Sequence, residues 1–429
     1  MYHEAETYAR TKIAEFQAKK IPYTDALYRR TLLEQRQLAA KYAATLATRQ
    51  NLSNEDFYFW GMLHYLAENV DGATENLNKF LSNTSLAPDK AQTARHVNAV
   101  IAARRKKFDE AEKFLDEYLK NEPLRLRERH KMETELAKAY REEKDWVKAA
   151  AHAREAYRAT KTMYRETSSR ARALVEILDA GQAVFEIYRD AGDRKTADES
   201  LDDLRQTAAL IESNGIYYFA VDSKIKYMIE TQRKPAALQF YKTALDQLER
   251  DFTSKPLRED VERRLKRRES HYRLLGEPAP ELVSIDRAIP GEAKTLASLR
   301  GKVVLLDFWA IWCGPCIAVF PSLVEWHQTY QKDGFEILGL TRYYGEADGM
   351  KVDNNGEYAY LQQFKKQYNL PYDLLISKDT TNQITYGATS IPTTVLIDRK
   401  GIIRYVETGA SADKEEALRA MIEKLLAEK

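Results

Sequence analysis

Pro278 and Pro280, in the stretch "LLGEPAPELVS", separate two textures of sequence that one architecture cannot hold. Before them, from Met1 to about Leu275, the chain is rich in Ala, Glu, Lys, Arg, Leu and Tyr, poor in Gly and Pro, and apolar at helical spacing. After them come "KVVLLDFWA", "GFEILGLT", "YDLLIS", "TTVLIDR" and "IIRYVET", short apolar runs rich in β-branched residues and separated by helical segments. Proline removes a backbone donor and clashes with the preceding helical turn, so the helical texture must stop there. The pattern predicts an all-α region over 1–275 and an α/β domain over 276–429, the latter a central sheet with helices on both faces.

Five segments of the helical region are alike: "VDGATENLNKFL", "KFDEAEKFLDEYL", "DWVKAAAHAREAY", "DRKTADESLDDL" and "RKPAALQFYKTAL". Aligning Ala73, Ala111, Ala149, Ala197 and Ala237 gives spacings of 38, 38, 48 and 40 residues. In each segment a small residue precedes an apolar pair by one turn, where close contact with a neighbouring helix needs it. This pattern resembles tetratricopeptide repeats, with a period above their usual ~34 residues and without the full aromatic and proline signature. The resemblance implies a TPR-like stack of helix pairs whose concave surface grips a partner protein. An irregular helical domain with coincidental alanine spacing is the alternative. The many tyrosines suit a core as well as a binding surface, so they nominate no binding residue. The charged run "REDVERRLKRRESHYR", Arg258 to Arg273, reads as a basic patch or, in preference because Glu and Asp are interleaved among its arginines, as the solvated face of the last helix.

The only two cysteines, Cys313 and Cys316, lie in "FWAIWCGPC". They fall where an inner strand, Val303 to Phe308, gives way to a helix starting near Cys313 and running to about Gln331. A helix N-terminus favours thiolate over thiol, so Cys313 is expected to be reactive. Cys316 sits one turn later on the same side, within reach of a disulfide. A structural zinc needs four ligands, and the nearest histidine, His327, is three turns along the same helix. A purely structural disulfide would close too short a loop to stabilise much. Redox exchange is the reading the pattern favours.

"LLDFWAIWCGPC", followed about 75 residues later by "SIPTTVLIDRKG", closely resembles the thioredoxin fold and, within it, the TlpA/ResA-like thiol:disulfide oxidoreductases, from roughly Glu281 to Glu428. The resemblance implies an added N-terminal β-hairpin in "ELVSIDRAIPGEAKTLASLRGK" and an insert in "RYYGEADGMKVDNNGEYAYLQQF". It implies that Cys313 is the attacking nucleophile and Cys316 the resolving thiol. It places Pro392 as the cis-proline beside the disulfide and Ile391 as the backbone edge to which a substrate peptide pairs, with Trp312, Gly314 and Pro315 completing the contact surface. Asp307 corresponds to the buried acid of thioredoxins; on an apolar strand under the cysteines its pKa should rise, fitting it to take the proton of Cys316. The chain departs from the group at Val319, where members often carry Glu. The Gly-Pro between the cysteines resembles thioredoxin, a reductant at about −270 mV, so reduction of protein disulfides is expected.

Lys and Arg number 67 against 65 Asp and Glu, a net charge of +2, so nucleic acid is not an expected partner. No run approaches the ~18 apolar residues of a membrane span, and "MYHEAETYAR" carries no secretory apolar stretch. The expected partners are a protein disulfide substrate and an upstream thiol electron donor. The Cys313–Cys316 pair is the expected redox centre, with no cofactor or metal. The resemblance implies an extracytoplasmic setting, periplasm or cell envelope, with a signal or anchor outside this chain, and the lack of other cysteines suits an oxidising space. A cytoplasmic setting is the alternative. The competing function is an interaction scaffold carrying a redox-sensing thioredoxin-like domain.

Overall fold

The structure is a computed structural model and describes residues 1–165 and 170–428. Contacts divide the chain into two compact units, Met1–Leu204 and Arg205–Lys429. The first holds α1 (Tyr2–Ala18), α2 (Asp25–Ala47), α3 (Asn54–Leu66), α4 (Val70–Leu81), α5 (Pro88–Arg104), α6 (Phe108–Leu119), α7 (Leu126–Glu142), α8 (Trp146–Met163), α9 (Arg170–Asp190) and the start of α10 (Arg194–Leu210). The second continues with α11 (Asn214–Glu230), α12 (Lys234–Asp246), α13 (Leu248–Asp251) and α14 (Lys255–Leu274), then the sheet domain. The change of texture at 275/276 therefore falls inside the second unit.

The five aligned alanines are each the fourth residue of α4, α6, α8, α10 and α12. Each is fully buried. Their helices begin after three-residue turns centred on Glu68, Lys106, Lys144, Gly192 and Gln232, all left-handed. After each centre the next N–H reaches back to the last turn, as Asn69 does to the His64 carbonyl at 2.9 Å and Asp145 to Tyr140 at 2.9 Å. This is the Schellman closure, which satisfies carbonyls that a helix end leaves open. Four of the five centres are not glycine, so this recurring turn carries no glycine signal. The helices meet closely: a β-carbon on Gly61 of α3 would lie 2.7 Å from Leu77 of α4.

The sheet contains β1 (Ile285–Ile289), β2 (Val303–Phe308), β3 (Phe335–Arg342), β6 (Asp373–Ser377), β7 (Thr393–Ile397) and β8 (Ile403–Thr408), in the order β1-β6-β3-β2-β7-β8. β2, β3 and β6 run parallel; β1, β7 and β8 pair antiparallel. Between β3 and β6 lie a two-residue-stranded hairpin, β4 (Glu346–Ala347) with β5 (Met350–Lys351), and α16 (Asn354–Gln367). α15 (Gly314–Tyr330) connects β2 to β3; α17 (Thr381–Thr385) precedes β7, and α18 (Ala412–Ala427) ends the chain. One core joins Val303, Leu305, Ile337, Leu374 and Leu396 of the sheet to residues of α15, α16 and α18. On the opposite face the ring of Tyr386 packs on Phe308 at 5.7 Å.

Two expectations are corrected. The N-terminal β-hairpin is absent among the described residues: β1 pairs only with β6, and the returning arm is a 3-10 turn, Ala297–Leu299. Leu296 and Leu299 are both buried, a three-residue spacing that suits a turn of helix rather than a strand. The carboxylate of Glu281 accepts the N–H groups of Leu296 and Ala297, fixing that turn. The charged run on α14 is also not simply a solvated face. Arg268, His271 and Tyr272 are buried. Arg268 donates to the Val406 carbonyl at 3.1 Å, and Gly276 N–H reaches Ile403 O at 2.8 Å, so α14 and the segment after it cover the exposed edge of β8.

Candidate active site

β2 ends on Asp307 and Phe308, and all six of its residues are buried. Alternation puts Asp307 on the face of Val303 and Leu305, towards the α15 layer. It is 3% exposed, and burial alone pushes its carboxyl from the ordinary value up to about 7. The next residue but one, Trp309, is fully buried, stacked on Phe364 and edge-on to Phe320 with ring centres 5.4 Å away in each case. This anchor pins the loop, and the second tryptophan, Trp312, is turned outward with 60% exposure.

Cys313 is the N-cap of α15. Its Sγ accepts the Cys316 N–H at 3.2 Å, the place where the helix offers unpaired donors to negative charge. Cys313 and Cys316 are joined as a disulfide with Cα atoms 5.2 Å apart, and both are almost fully buried. Pro315 takes a first-turn position, where no donor is needed, and lies exposed with Gly314. Val319 packs in the core beside Cys316, so this position one turn along the helix is apolar.

Pro392 stands at the start of β7 after a cis Ile391–Pro392 bond. Thr393, the next residue, pairs with Phe308, so this turn lies at the end of β2 from which the chain leads to Cys313. Ile391 is half-buried against the core that holds both cysteines, and Pro392 is buried. The structure thus gathers Asp307, Cys313, Cys316, Ile391 and Pro392 at one end of the sheet, with Trp312, Gly314 and Pro315 on its surface.

Three residues at this end were not singled out from the sequence. Tyr344 meets Trp312 edge-to-face at 5.4 Å, and the Arg342 guanidinium lies over the Tyr344 ring at 4.1 Å. Glu357 on α16 is buried, and its carboxylate accepts the N–H groups of Tyr344 at 2.9 Å and Gly345 at 2.8 Å. It fixes the loop that carries Tyr344 against Trp312. A Glu in "NNGEYAY" reads as helix surface, and no local pattern distinguishes it. Among the described residues no group of three or more His, Cys, Asp or Glu side chains is placed to hold a metal, and no helix is long and apolar enough to cross a membrane.

A carboxyl that burial pushes up to about 7, on the strand that leads into a cysteine pair at a helix start, is equipped for thiol-disulfide exchange. The comparisons agree. The Redoxin family matches residues 274–422. Thiol-disulfide oxidoreductase ResA of Geobacillus thermodenitrificans (strain NG80-2) is 31% identical over 142 residues, 33% of this chain and 73% of that protein. ResA of Bacillus cereus (strain ZK / E33L) is 32% identical over 151 residues, 35% of this chain and 78% of that protein. Thioredoxin-like protein YneN of Bacillus subtilis (strain 168) is 30% identical over 140 residues, 33% of this chain and 75% of that protein. Over its last third, behind a long helical region, the chain belongs to the TlpA/ResA-like thiol-disulfide oxidoreductases of the thioredoxin fold.

Proposed function

We propose that this oxidoreductase reduces protein disulfides through Cys313 and Cys316, and that the helical region selects the partner. The observation that carries the reading is Cys313 at the cap of α15, its sulfur held by the Cys316 N–H at 3.2 Å. In the reduced enzyme the Cys313 thiolate attacks one sulfur of the substrate disulfide. That S–S bond breaks, a Cys313–substrate disulfide forms, and the first substrate thiolate leaves. Asp307 takes the proton of Cys316, whose thiolate attacks Cys313 and expels the second substrate thiolate. Two electrons have passed to the substrate, and Cys313–Cys316 is a disulfide. An upstream dithiol donor, oxidised to its own disulfide, returns two electrons, and the proton held by Asp307 goes back to Cys316, re-forming the Cys313 thiolate and the Cys316 thiol.

In this reading Ile391, before Pro392, offers backbone to an extended substrate segment, while Trp312, Gly314 and Pro315 bear on its side chains. The recurring helix pairs suit a TPR-like role in holding a partner, since stacked pairs present broad surfaces without catalytic groups. An oxidising compartment outside the cytoplasm fits a chain whose only two cysteines form one redox pair. The test is trapping. Cys316→Ser should accumulate a mixed disulfide with a protein substrate, and Cys313→Ser should form none. Equal trapping by both variants would refute the assignment of roles.

A further inference from the structure

We infer that His271 of α14 is a positioning residue for the substrate-pairing segment at Ile391–Pro392, so that the last helix of the helical region sets the geometry of the redox site. His271 is 2% exposed. Its Nε2 lies 2.9 Å from the carbonyl of Gly387, which can only accept, so Nε2 carries the hydrogen. Its buried Nδ1 has no hydrogen-bond partner, leaving the contact to Gly387 as the polar bond this ring makes. Burial first, and then Arg268, push the imidazole down to about 4, which keeps it neutral near pH 7.

The approach is close on both sides. Gly387 is left-handed at φ +64°, and a β-carbon there would fall 2.5 Å from Ser270 Oγ and 2.9 Å from His271 Cδ2. Gly387 begins the run Gly387 to Ser390 that leads into Ile391. One turn earlier on the same helix, Arg268 holds β8 by its bond to Val406 O and its pairing with Glu407 at 3.3 Å. β8 in turn meets the far side of the turn: Thr408 Oγ1 is 3.1 Å from Thr393 Oγ1, and Gly409 N–H donates to Pro392 O at 2.7 Å. α14 therefore braces the chain before Pro392 and the strand beside it while touching neither thiol. These contacts determine where that edge stands, and a misplacement of about 1 Å in the placing of a substrate can cost about a hundredfold in rate.

The inference rests on the reading that substrates pair at Ile391. It is tested in the full chain with a peptide containing one disulfide, which needs the pairing edge, and with 5,5′-dithiobis(2-nitrobenzoate), which does not. His271→Leu should raise KM for the peptide about fivefold to tenfold, leave kcat and the rate with the small disulfide within about twofold, and His271→Gln should recover most of the loss by donating to Gly387 O. Gly387→Ala, which pushes the same contact apart from the other side, should reproduce the KM change if His271→Leu does not fold. Parallel loss with both substrates, no change with the peptide, or failure of the Gln variant to recover would overturn it. A wild-type enzyme that reduces the small disulfide and not the peptide would instead overturn the reading of the substrate.

Discussion

Buried Arg268 on α14 and half-buried Glu407 on β8 form an ion pair at 3.3 Å across 139 residues of sequence. Lys226 of α11 joins them, 3.2 Å from Glu407 and 2.7 Å from Asp222, while Tyr272 donates to Asp222 at 2.7 Å. Burial would raise both carboxyls, yet Lys226 and Arg268 prevail and hold Asp222 and Glu407 below the ordinary range. The last helices are in this way part of the redox domain's own framework.

A fragment starting at Gly276 should consequently be a poor stand-in for the enzyme. It keeps the bonds of Gly276 and Glu277 to Ile403 but loses Arg268 from the Val406 carbonyl and both Arg268 and Lys226 from Glu407, so the Val406–Thr408 end of the strand edge lies open. Arg205–Lys429 is expected to be monomeric and folded, and Gly276–Lys429 to melt lower and self-associate. Size-exclusion chromatography with thermal unfolding decides, and identical behaviour of the two fragments would contradict this account.

Asp307 should leave its mark on the pH profile. With its carboxyl near 7, turnover limited by Cys316 should rise through about pH 7 as Asp307 ionises, and Asp307→Asn should flatten that rise. The same shift bears on stability. A carboxyl raised above its unfolded value of 3.8 contributes fully below that value, and the contribution is lost as pH rises through the folded value near 7. At about 1.4 kcal/mol per unit, the oxidised wild type should lose at most about 4 kcal/mol over that window, and Asp307→Asn should not. Denaturant unfolding at pH 4 and pH 8 measures it; equal losses in both proteins would exclude a buried neutral acid.

Glu357→Gln should loosen the loop behind Trp312. An amide cannot accept from Tyr344 and Gly345 as two carboxylate oxygens do, and the change should cost about 1–3 kcal/mol. Proteolysis within 343–352 should quicken, with reduction of the small disulfide retained. Unaltered cleavage would show that the loop is held by other contacts.

Alkylation of the reduced enzyme should select Cys313. Its position at the helix cap favours the thiolate, whereas Cys316 lies one turn inside. Mass mapping after brief exposure to iodoacetamide near pH 7 should find the label on Cys313 first, and even labelling would argue against its role as nucleophile.

Local pattern alone determined much of this protein. β2 spans Val303–Phe308, as its apolar run, interrupted only at Asp307, predicts for a strand buried on both faces. The helix beginning beside Cys313 and the burial of Ala73, Ala111 and Ala149 follow from equally local rules, a capped helix start and a small residue at each close crossing. Tertiary structure alone decided the roles of Glu357, Arg268 and His271. On their own helices these side chains have the character of surface residues, and what buries them are backbone groups and charges from distant segments: the Tyr344 and Gly345 amides, Glu407, and the Gly387 carbonyl. The cost of taking a polar group out of water is recovered only when its partner arrives, and that partner is brought by the fold rather than by the neighbouring sequence.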